Sequence, residues 1–229
     1  MPTEGAATRE PTPHVAAEDA REYALHGLAM ACAAGGMAHQ VRNPLNAMAL
    51  QLALLSDKIG THRDVLDACA GNLARLQDQI GRVDEVVRRF VEAAEPAGGI
   101  GLDAGRLAED AAALFGPEAR RRHGAIEVRV EAPGLRARGD GARAGRLWMG
   151  LVWRALEEAG EGGEVRLSAA PDGAEVVLSL EHPRASPPRS PAWMAEAAAA
   201  AARALGGRLE ETVAGGVARV ALRLPAEAR

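Results

Sequence analysis

The chain has 229 residues, of which 48% are apolar and 25% are charged, an ordinary composition for a globular protein of one or two domains. The net charge is -4, and acidic and basic residues are interspersed, which argues against binding to nucleic acid or to a membrane surface. Cys32 and Cys69 lie far apart and lack the spacing of metal ligands, so we interpret them as reduced core residues. The composition thus favours a cytoplasmic protein without a metal site.

The N-terminal segment carries prolines and charges where a secretory signal would need an apolar stretch. We therefore predict a disordered leader over residues 1–18. The most apolar stretch, residues 25–37, is too short to cross a bilayer, so the sequence indicates no transmembrane helix.

Two amphipathic helices follow, and in each of them apolar residues recur at alternating intervals of three and four, the pattern of a heptad seam. A polar turn at residues 60–63 separates them, which predicts an antiparallel hairpin over residues 19–95. A lone hairpin would expose its seams, so we expect two copies to pair as a four-helix bundle in a homodimer. The seam residues are Val41, Leu45, Met48, Leu52, Leu55 and Ile59 in the first helix and Leu66, Cys69, Leu73, Leu76, Ile80, Val83, Val87 and Phe90 in the second.

The pattern breaks at EPAGGIG, residues 95–101, which predicts a hinge. Helices and strands then alternate, and this order predicts an α+β domain over residues 102–226 with helices on one face of a mixed sheet. We expect helices over 103–122, 142–159 and 192–205, and strands over 125–131, 134–138, 164–170, 174–181, 207–213 and 216–224.

His39 stands one position beyond the seam of the first helix and is therefore predicted to face solvent. An exposed imidazole is a competent nucleophile toward phosphorus at neutral pH, because the neutral ring offers a nitrogen lone pair. Pro44 removes a backbone donor and clashes with the carbonyl group of Gln40, which predicts a bend in the helix beside His39. Such a bend would open space for an incoming phosphoryl group.

The stretch MAHQVRNPLNAM at residues 37–48 resembles the H-box of bacterial two-component sensor histidine kinases, in which an acidic, an apolar and a basic residue and then Asn-Pro-Leu follow the phosphate-accepting histidine. The resemblance implies that His39 is that histidine and that the hairpin is a dimerisation and histidine-phosphotransfer domain. Gln40 departs from the pattern, since an amide cannot act as the base that the acid provides, and attack on ATP should be impaired. Asn43 matches a position that helps to orient water during dephosphorylation of a partner; alternatively, it is an N-cap-like residue set by the proline.

Three residues continue the stripe of His39 and Asn43 at helical spacing: Asn46, Leu50 and Leu54. Exposed leucines beside a reactive group favour a partner-binding face. Burial of Leu50 and Leu54 in the dimer core is the alternative, and the sequence leaves both open.

The second domain resembles, in its order of elements, the GHKL-type ATPase-like α/β sandwich that follows the hairpin in these kinases. Residues 150–168 are similar to the N-box, but Gly150 and Arg154 stand at its two asparagine positions. The second asparagine helps to hold magnesium, and arginine has no acceptor for a cation.

The next two boxes are also degenerate. Glu181 stands at the position where the family has an adenine-binding aspartate. Pro183 and Ala185 replace glycines that let the backbone approach the nucleotide closely. Ala192 and Met194 stand at a second glycine pair, and too few residues precede them to form a lid. The resemblance therefore implies a degenerate domain that keeps the fold, and we expect no ATP binding and no cofactor on this chain.

These features predict a cytoplasmic phosphoprotein in signal transduction, a histidine phosphotransferase that exchanges a phosphoryl group between His39 and receiver-domain aspartates of response regulators or a hybrid histidine kinase. The receiver would supply Mg²⁺. Two alternatives stay open, a divergent ATP-dependent kinase and a non-enzymatic pseudokinase regulator of a response regulator. A phosphatase role, intermediate between phosphotransfer and such a regulator, would depend on Asn43 more than on His39.

Overall fold

The structure is a computed structural model, and it describes residues 13–61, 65–94, 100–184 and 187–227. The predicted leader at 1–18, turn at 60–63 and hinge at 95–101 fall partly outside these residues, and Ala185 lies wholly outside them. None of the helices in the described ranges combines the length and the apolar character needed to cross a membrane.

Two long helices come first, α1 at Pro13–Thr61 and α2 at Val65–Ala94. α1 begins inside the segment predicted as a leader, so the last part of that segment is helical rather than disordered. The helix continues through Pro44 as one element. α1 is thus far longer than the hairpin needs, and about half of it precedes His39.

A buried polar residue joins the two helices of the hairpin. Asn72 of α2 donates a hydrogen bond to the side-chain oxygen of Gln51 at 3.1 Å and accepts one from Lys58 at 3.0 Å, both on α1. Asn72 is buried, so a shift of one helix along the other would leave its amide unpaired. These bonds therefore fix the register of the hairpin, as single polar residues do in coiled coils.

The seam residues divide into two sets. Among the seam residues whose burial the structure describes, alternate members, spaced seven apart, stay exposed in the single chain, whereas those between them are half-buried or buried. The exposed set is Leu45 (49%), Leu52 (53%) and Ile59 (55%) on α1, and Leu73 (50%), Ile80 (58%) and Val87 (43%) on α2. One hairpin thus covers only half of its own seam.

The second domain has three helices and seven strands in its described part. They are β1 (Ile100–Asp103), α3 (Ala104–Arg121), β2 (Ala125–Val130), β3 (Arg136–Asp140), α4 (Gly141–Ala159), β4 (Glu164–Asp172), β5 (Glu175–Pro183), α5 (Ala192–Ala204), β6 (Arg208–Ala214) and β7 (Val217–Pro225). The predicted α+β class is therefore correct, and the boundaries shift by a few residues at most strand and helix ends.

Five strands form the main sheet in the order β2-β4-β5-β7-β6, with β2 parallel to β4 and the other pairs antiparallel. The predicted strand β3 lies outside this sheet and pairs with β1, a strand that the sequence did not indicate. β1 has four residues and follows a glycine-rich segment, so it shows too little alternation to be recognised.

Helices α3, α4 and α5 cover one face of the sheet, and aliphatic side chains fill the space between. The strands alternate accordingly: on β4, Val165, Leu167 and Ala169 are buried, whereas Arg166 is exposed and pairs with Glu164 at 2.8 Å. The opposite face of the sheet thus carries charged side chains in surface ion pairs, which add little to stability.

The first half of α1 belongs to the core of the second domain. Leu25, Ala29, Met30 and Ala33 are buried within the same apolar cluster as the sheet and its helices. Burial of a leucine side chain contributes about 1.5–3 kcal/mol, so these contacts bind α1 firmly to the domain. The two predicted units therefore share one helix.

An ionic cluster adds to this contact between α1 and α4. Glu22 of α1 is buried and accepts hydrogen bonds from Arg143 at 2.7 Å and from Arg146 at 3.3 Å. Arg143 also pairs with Asp19 at 2.5 Å. The cluster satisfies a carboxylate that burial would otherwise penalise, and it specifies which faces of the two helices meet.

Candidate functional site

His39 is exposed on α1, as the sequence predicted. Within the described residues its imidazole has no hydrogen-bond or ion-pair partner. Asn43, one turn further along, is exposed on the same face. The ring nitrogens of His39 are thus open to an incoming electrophile.

Gln40, Asn43 and Pro44 line a groove of about 750 Å3 that α1, α2 and α3 enclose. Pro44 is buried and Gln40 is half-buried. Gln40, the residue after His39, and Asn43, one turn beyond it, thus contribute to the groove, whereas the exposed His39 is not among its lining residues. The predicted bend at Pro44 stays a prediction.

Gly36 lets the second domain approach His39. A Cβ atom at Gly36 would lie 3.3 Å from the backbone nitrogen of Glu118 on α3, whereas one at Gly35 would meet nothing within 4 Å. α3 therefore crosses α1 at Gly36, about one helical turn before His39. The sequence analysis did not identify this crossing, because a glycine in a helix does not reveal what packs against it.

Two arginines on α3 and its C-cap are tied to one buried carboxylate. Glu118 accepts hydrogen bonds from Arg121 at 2.5 Å and from Arg122 at 2.8 Å, and the bond from Arg121 is the main reason that its pKa lies below the ordinary value. Arg122 also reaches Glu157 of α4 at 2.5 Å and the Sγ atom of Cys32 at 3.8 Å. Burial raises the pKa of the Cys32 thiol to about 11, so it stays protonated and unreactive.

The two predicted N-box positions lie on one face of α4, and other parts of the chain cover both. A Cβ atom at Gly150 would lie 2.6 Å from Cγ of Leu25, so α1 occupies the space next to this residue. One turn later, Arg154 donates two hydrogen bonds to the carboxylate of Glu211 on β6, at 2.8 and 2.9 Å. The side chain of Arg154 is only 6% exposed.

A second carboxylate on α4 fixes the segment before α5. Glu158 is 1% exposed and accepts a hydrogen bond from the backbone nitrogen of Ser190 at 2.8 Å, and a second one from its hydroxyl. Burial opposes the charge, yet these bonds outweigh it and keep the pKa of Glu158 below the ordinary value. The contact holds this short segment against α4.

The remaining degenerate positions are scattered. Glu181 on β5 pairs with Arg219 on the neighbouring strand, and Pro183 is exposed at the end of β5. Ala192 is exposed at the start of α5, whereas Met194 is buried in the core. Among the predicted nucleotide-site positions that the structure describes, Gly150 and Arg154 lie one turn apart on α4.

The predicted partner-binding residues lie where the sequence placed them. Asn46, Leu50 and Leu54 are exposed on α1, Leu50 by 59% and Leu54 by 45%. A single chain does not bury these leucines, so partner binding and a dimer core both remain open for them.

Comparison with protein families identifies residues 33–89 as a His Kinase A (phospho-acceptor) domain, a segment that contains His39 and most of both helices. A sequence comparison with curated proteins found no match. Among solved structures, the catalytic domain of the histidine kinase ThkA is 15% identical over 56% of this chain and 97% of that chain, with a TM-score of 0.49.

Two longer structures are also similar. The Acinetobacter baumannii histidine kinase AdeS is 13% identical over 83% of this chain and 98% of that chain, with a TM-score of 0.47. A histidine kinase from Burkholderia phymatum is 17% identical over 82% of this chain and 99% of that chain, with a TM-score of 0.49. Residues 33–89 thus match a phospho-acceptor domain of the histidine kinase type, and this segment carries the exposed His39.

Proposed function

We propose that this protein is a histidine phosphotransferase of a two-component phosphorelay. His39 accepts a phosphoryl group from the aspartate of one receiver domain and passes it to the aspartate of another, without using ATP. The observation that carries the proposal is the face of α4 at Gly150 and Arg154, which Leu25 and Glu211 occupy.

The exposed imidazole of His39 supports the transfer step. A neutral ring nitrogen attacks phosphorus, a P–N bond forms, and the P–O bond to the aspartate breaks with its electron pair on the departing carboxylate. The reverse step restores the aspartyl phosphate on a receiver. Since the receiver's own Mg²⁺ neutralises the phosphoryl oxygens, this chain needs only an accessible nucleophile and a docking face.

The residues at the degenerate site do not fit magnesium and a nucleotide. The guanidinium of Arg154 offers only donors, and its Nη2 atom already donates to both carboxylate oxygens of Glu211. An asparagine at position 150 would collide with Leu25, so this face of α4 favours contact with α1 over contact with phosphates.

Gln40 also supports phosphotransfer from a receiver over autophosphorylation from ATP. An amide next to His39 cannot take a proton from the imidazole, as a general base would during attack on ATP. Transfer from an aspartyl phosphate depends less on such a base, because a carboxylate is a weaker base than the phosphate of ADP and therefore a better leaving group. Relay through His39 therefore tolerates glutamine at this position.

The exposed half of each hairpin seam supports a homodimer. Leu52 and Ile80 are each more than half exposed in one chain, and both lie in seven-residue series of exposed apolar side chains. Such a strip is costly in water, and a second hairpin with the same strip would cover it. The homodimer would be a four-helix bundle, with receivers binding along the stripe of Asn46, Leu50 and Leu54.

Phosphotransfer from a labelled receiver tests the proposal. A receiver phosphorylated with radiolabel is mixed with the wild-type chain, with His39→Ala and with Asn43→Ala, in the absence of nucleotide. We expect label on the wild type and on Asn43→Ala, and none on His39→Ala.

A parallel titration with MgATP distinguishes a phosphotransferase from an ATP-dependent kinase. Micromolar binding of MgATP followed by labelled phosphate on His39 would show an active kinase and refute the proposal. Intact biological signalling by His39→Ala would instead show a regulator that works without phosphate. A loss of receiver dephosphorylation in Asn43→Ala alone would indicate a phosphatase.

A further inference from the structure

The groove beside His39 contains one cation that lacks a counterion. Three arginine side chains line it, from Arg82, Arg89 and Arg120. Arg82 pairs with Asp78 at 3.1 Å, and Arg89 pairs with Glu85 at 2.6 Å. Within the described residues Arg120 has no ion-pair or hydrogen-bond partner. The groove thus presents one uncompensated positive charge.

Arg120 extends from a well-fixed helix. Its neighbours Arg121 and Arg122 are both held by Glu118, and the backbone of Glu118 contacts α1 at Gly36. These contacts fix the base of the Arg120 side chain against the hairpin. Its guanidinium, by contrast, remains exposed and unengaged.

Close neighbours of His39 on α1 line the same groove. Arg120 shares its lining with Gln40 and Asn43, which are the next residue after His39 and the residue one turn beyond it. Side chains at positions i and i+4 of a helix lie about 6 Å apart, so a group bound to His39 would lie at the groove rim beside Asn43. Arg120 is therefore an unpaired cation in the groove that the neighbours of His39 line.

We propose that Arg120 binds the phosphoryl group while it is carried on His39. This inference rests on the proposed function and assigns a role in it to the second domain, which would deliver an arginine to the phosphohistidine. A guanidinium matches phosphate oxygens with two parallel N–H donors and stays charged throughout. During transfer Arg120 donates hydrogen bonds to the phosphoryl oxygens and neither gains nor loses a proton.

Chemical phosphorylation tests this role without any receiver. Phosphoramidate transfers its phosphoryl group to imidazole as its own P–N bond breaks and ammonia leaves, and ³¹P NMR follows the phosphohistidine that forms. We compare the wild type with Arg120→Ala, Arg120→Lys and His39→Ala. The matched control is Arg106→Ala, an exposed arginine on the same helix that lines a different surface groove.

Loss of one charge-assisted hydrogen-bonding group should slow the phosphorylation of His39 at least about tenfold in Arg120→Ala. Arg120→Lys should recover part of the rate, because lysine keeps the positive charge but lacks the two parallel N–H donors of a guanidinium. Arg106→Ala should match the wild type. Equal rates for Arg120→Ala and wild type would overturn the inference, and thermal unfolding checks that each variant is folded.

A receiver experiment separates this inference from the proposed function. If Arg120→Ala raised KM for the phosphorylated receiver and left the phosphoramidate rate unchanged, Arg120 would bind the receiver surface, and the inference would be wrong. If the wild type accepted no phosphate from a receiver but its chemical phosphorylation still required Arg120, the proposed function would fail and the role of Arg120 would stand.

Discussion

Substitution of Glu211 by alanine would remove the carboxylate that pairs with Arg154 at the centre of the degenerate site. The side chain of Arg154 is 6% exposed and would be left buried without its counterion. Breaking a fully buried ion pair from one side costs about 3–5 kcal/mol. The side chain of Glu211 is itself 24% exposed, so we expect the lower end, about 3 kcal/mol.

A double substitution tests the physical reason. Replacing both partners by apolar residues, as Arg154→Met with Glu211→Leu, removes the buried charge of Arg154 together with its counterion. Glu211 also pairs with Arg184, but the Arg184 side chain is 22% exposed and stays accessible to water after the substitution. Such replacements are often neutral or stabilising, so the double variant should unfold within about 1 kcal/mol of the wild type. Glu181→Ala is the matched control, because it breaks an ion pair on the same sheet with Arg219, whose side chain is 65% exposed, and should cost less than about 1 kcal/mol.

Urea and thermal unfolding followed by circular dichroism measure these differences. For a chain of this length, about 3 kcal/mol corresponds to a fall in Tm of roughly 6–12 °C in Glu211→Ala. If the double variant were as unstable as Glu211→Ala, the cost would come from lost packing and the electrostatic reasoning would be refuted. If Glu211→Ala were as stable as Glu181→Ala, Arg154 would not depend on the pair at all.

Three further predictions concern the hairpin and its contact with the second domain. Gly36→Ala should destabilise the chain by about 1 kcal/mol in urea unfolding, because its Cβ atom would press on the backbone of α3. Gly35→Ala, whose Cβ atom would enter open space, should stabilise the chain by about 0.5–1 kcal/mol. Equal effects of the two substitutions would contradict the crossing at Gly36. Burial lowers the pKa of His26 and of His182 below 6.5, so the stability that their neutral forms contribute is fully present above pH 6.5 and is lost as the pH falls through the lowered values. A urea midpoint that rises between pH 6.5 and 5 would contradict this sign. Ile80→Asp should convert the expected homodimer into monomers in analytical ultracentrifugation, and an unchanged sedimentation coefficient would count against the bundle.

The hairpin was predictable because its physical determinants are local. A heptad seam repeats many times along each helix, so the sequence predicted two helices and their pairing, and an exposed histidine one position from the seam followed directly. The α+β order of the second domain was predictable for the same reason. β1 was missed because four residues after a glycine-rich segment carry no periodic signal.

The long-range contacts of the site were not predictable. Nothing in the sequence indicated that the first half of α1 would pack into the second domain, because the alanines and leucines there suit a coiled coil equally well. The ion pair between Arg154 and Glu211 joins residues far apart in the chain, and only the fold brings them together. The sequence predicted that Arg154 could not hold magnesium, but it did not show what holds Arg154. Arg120 stands in a run of three arginines, and the sequence could not show that its two neighbours pair with Glu118 while its own guanidinium stays unpaired.

Mapping the phosphate on the wild-type chain tests the central claim most directly. The chain is incubated in parallel with a phosphorylated receiver without nucleotide and with MgATP without a receiver, and each product is digested under conditions that preserve phosphohistidine and sequenced by mass spectrometry. We predict phosphate on His39 from the receiver and none from MgATP. Phosphate on His39 from MgATP alone, or no phosphate from the receiver, would contradict the account.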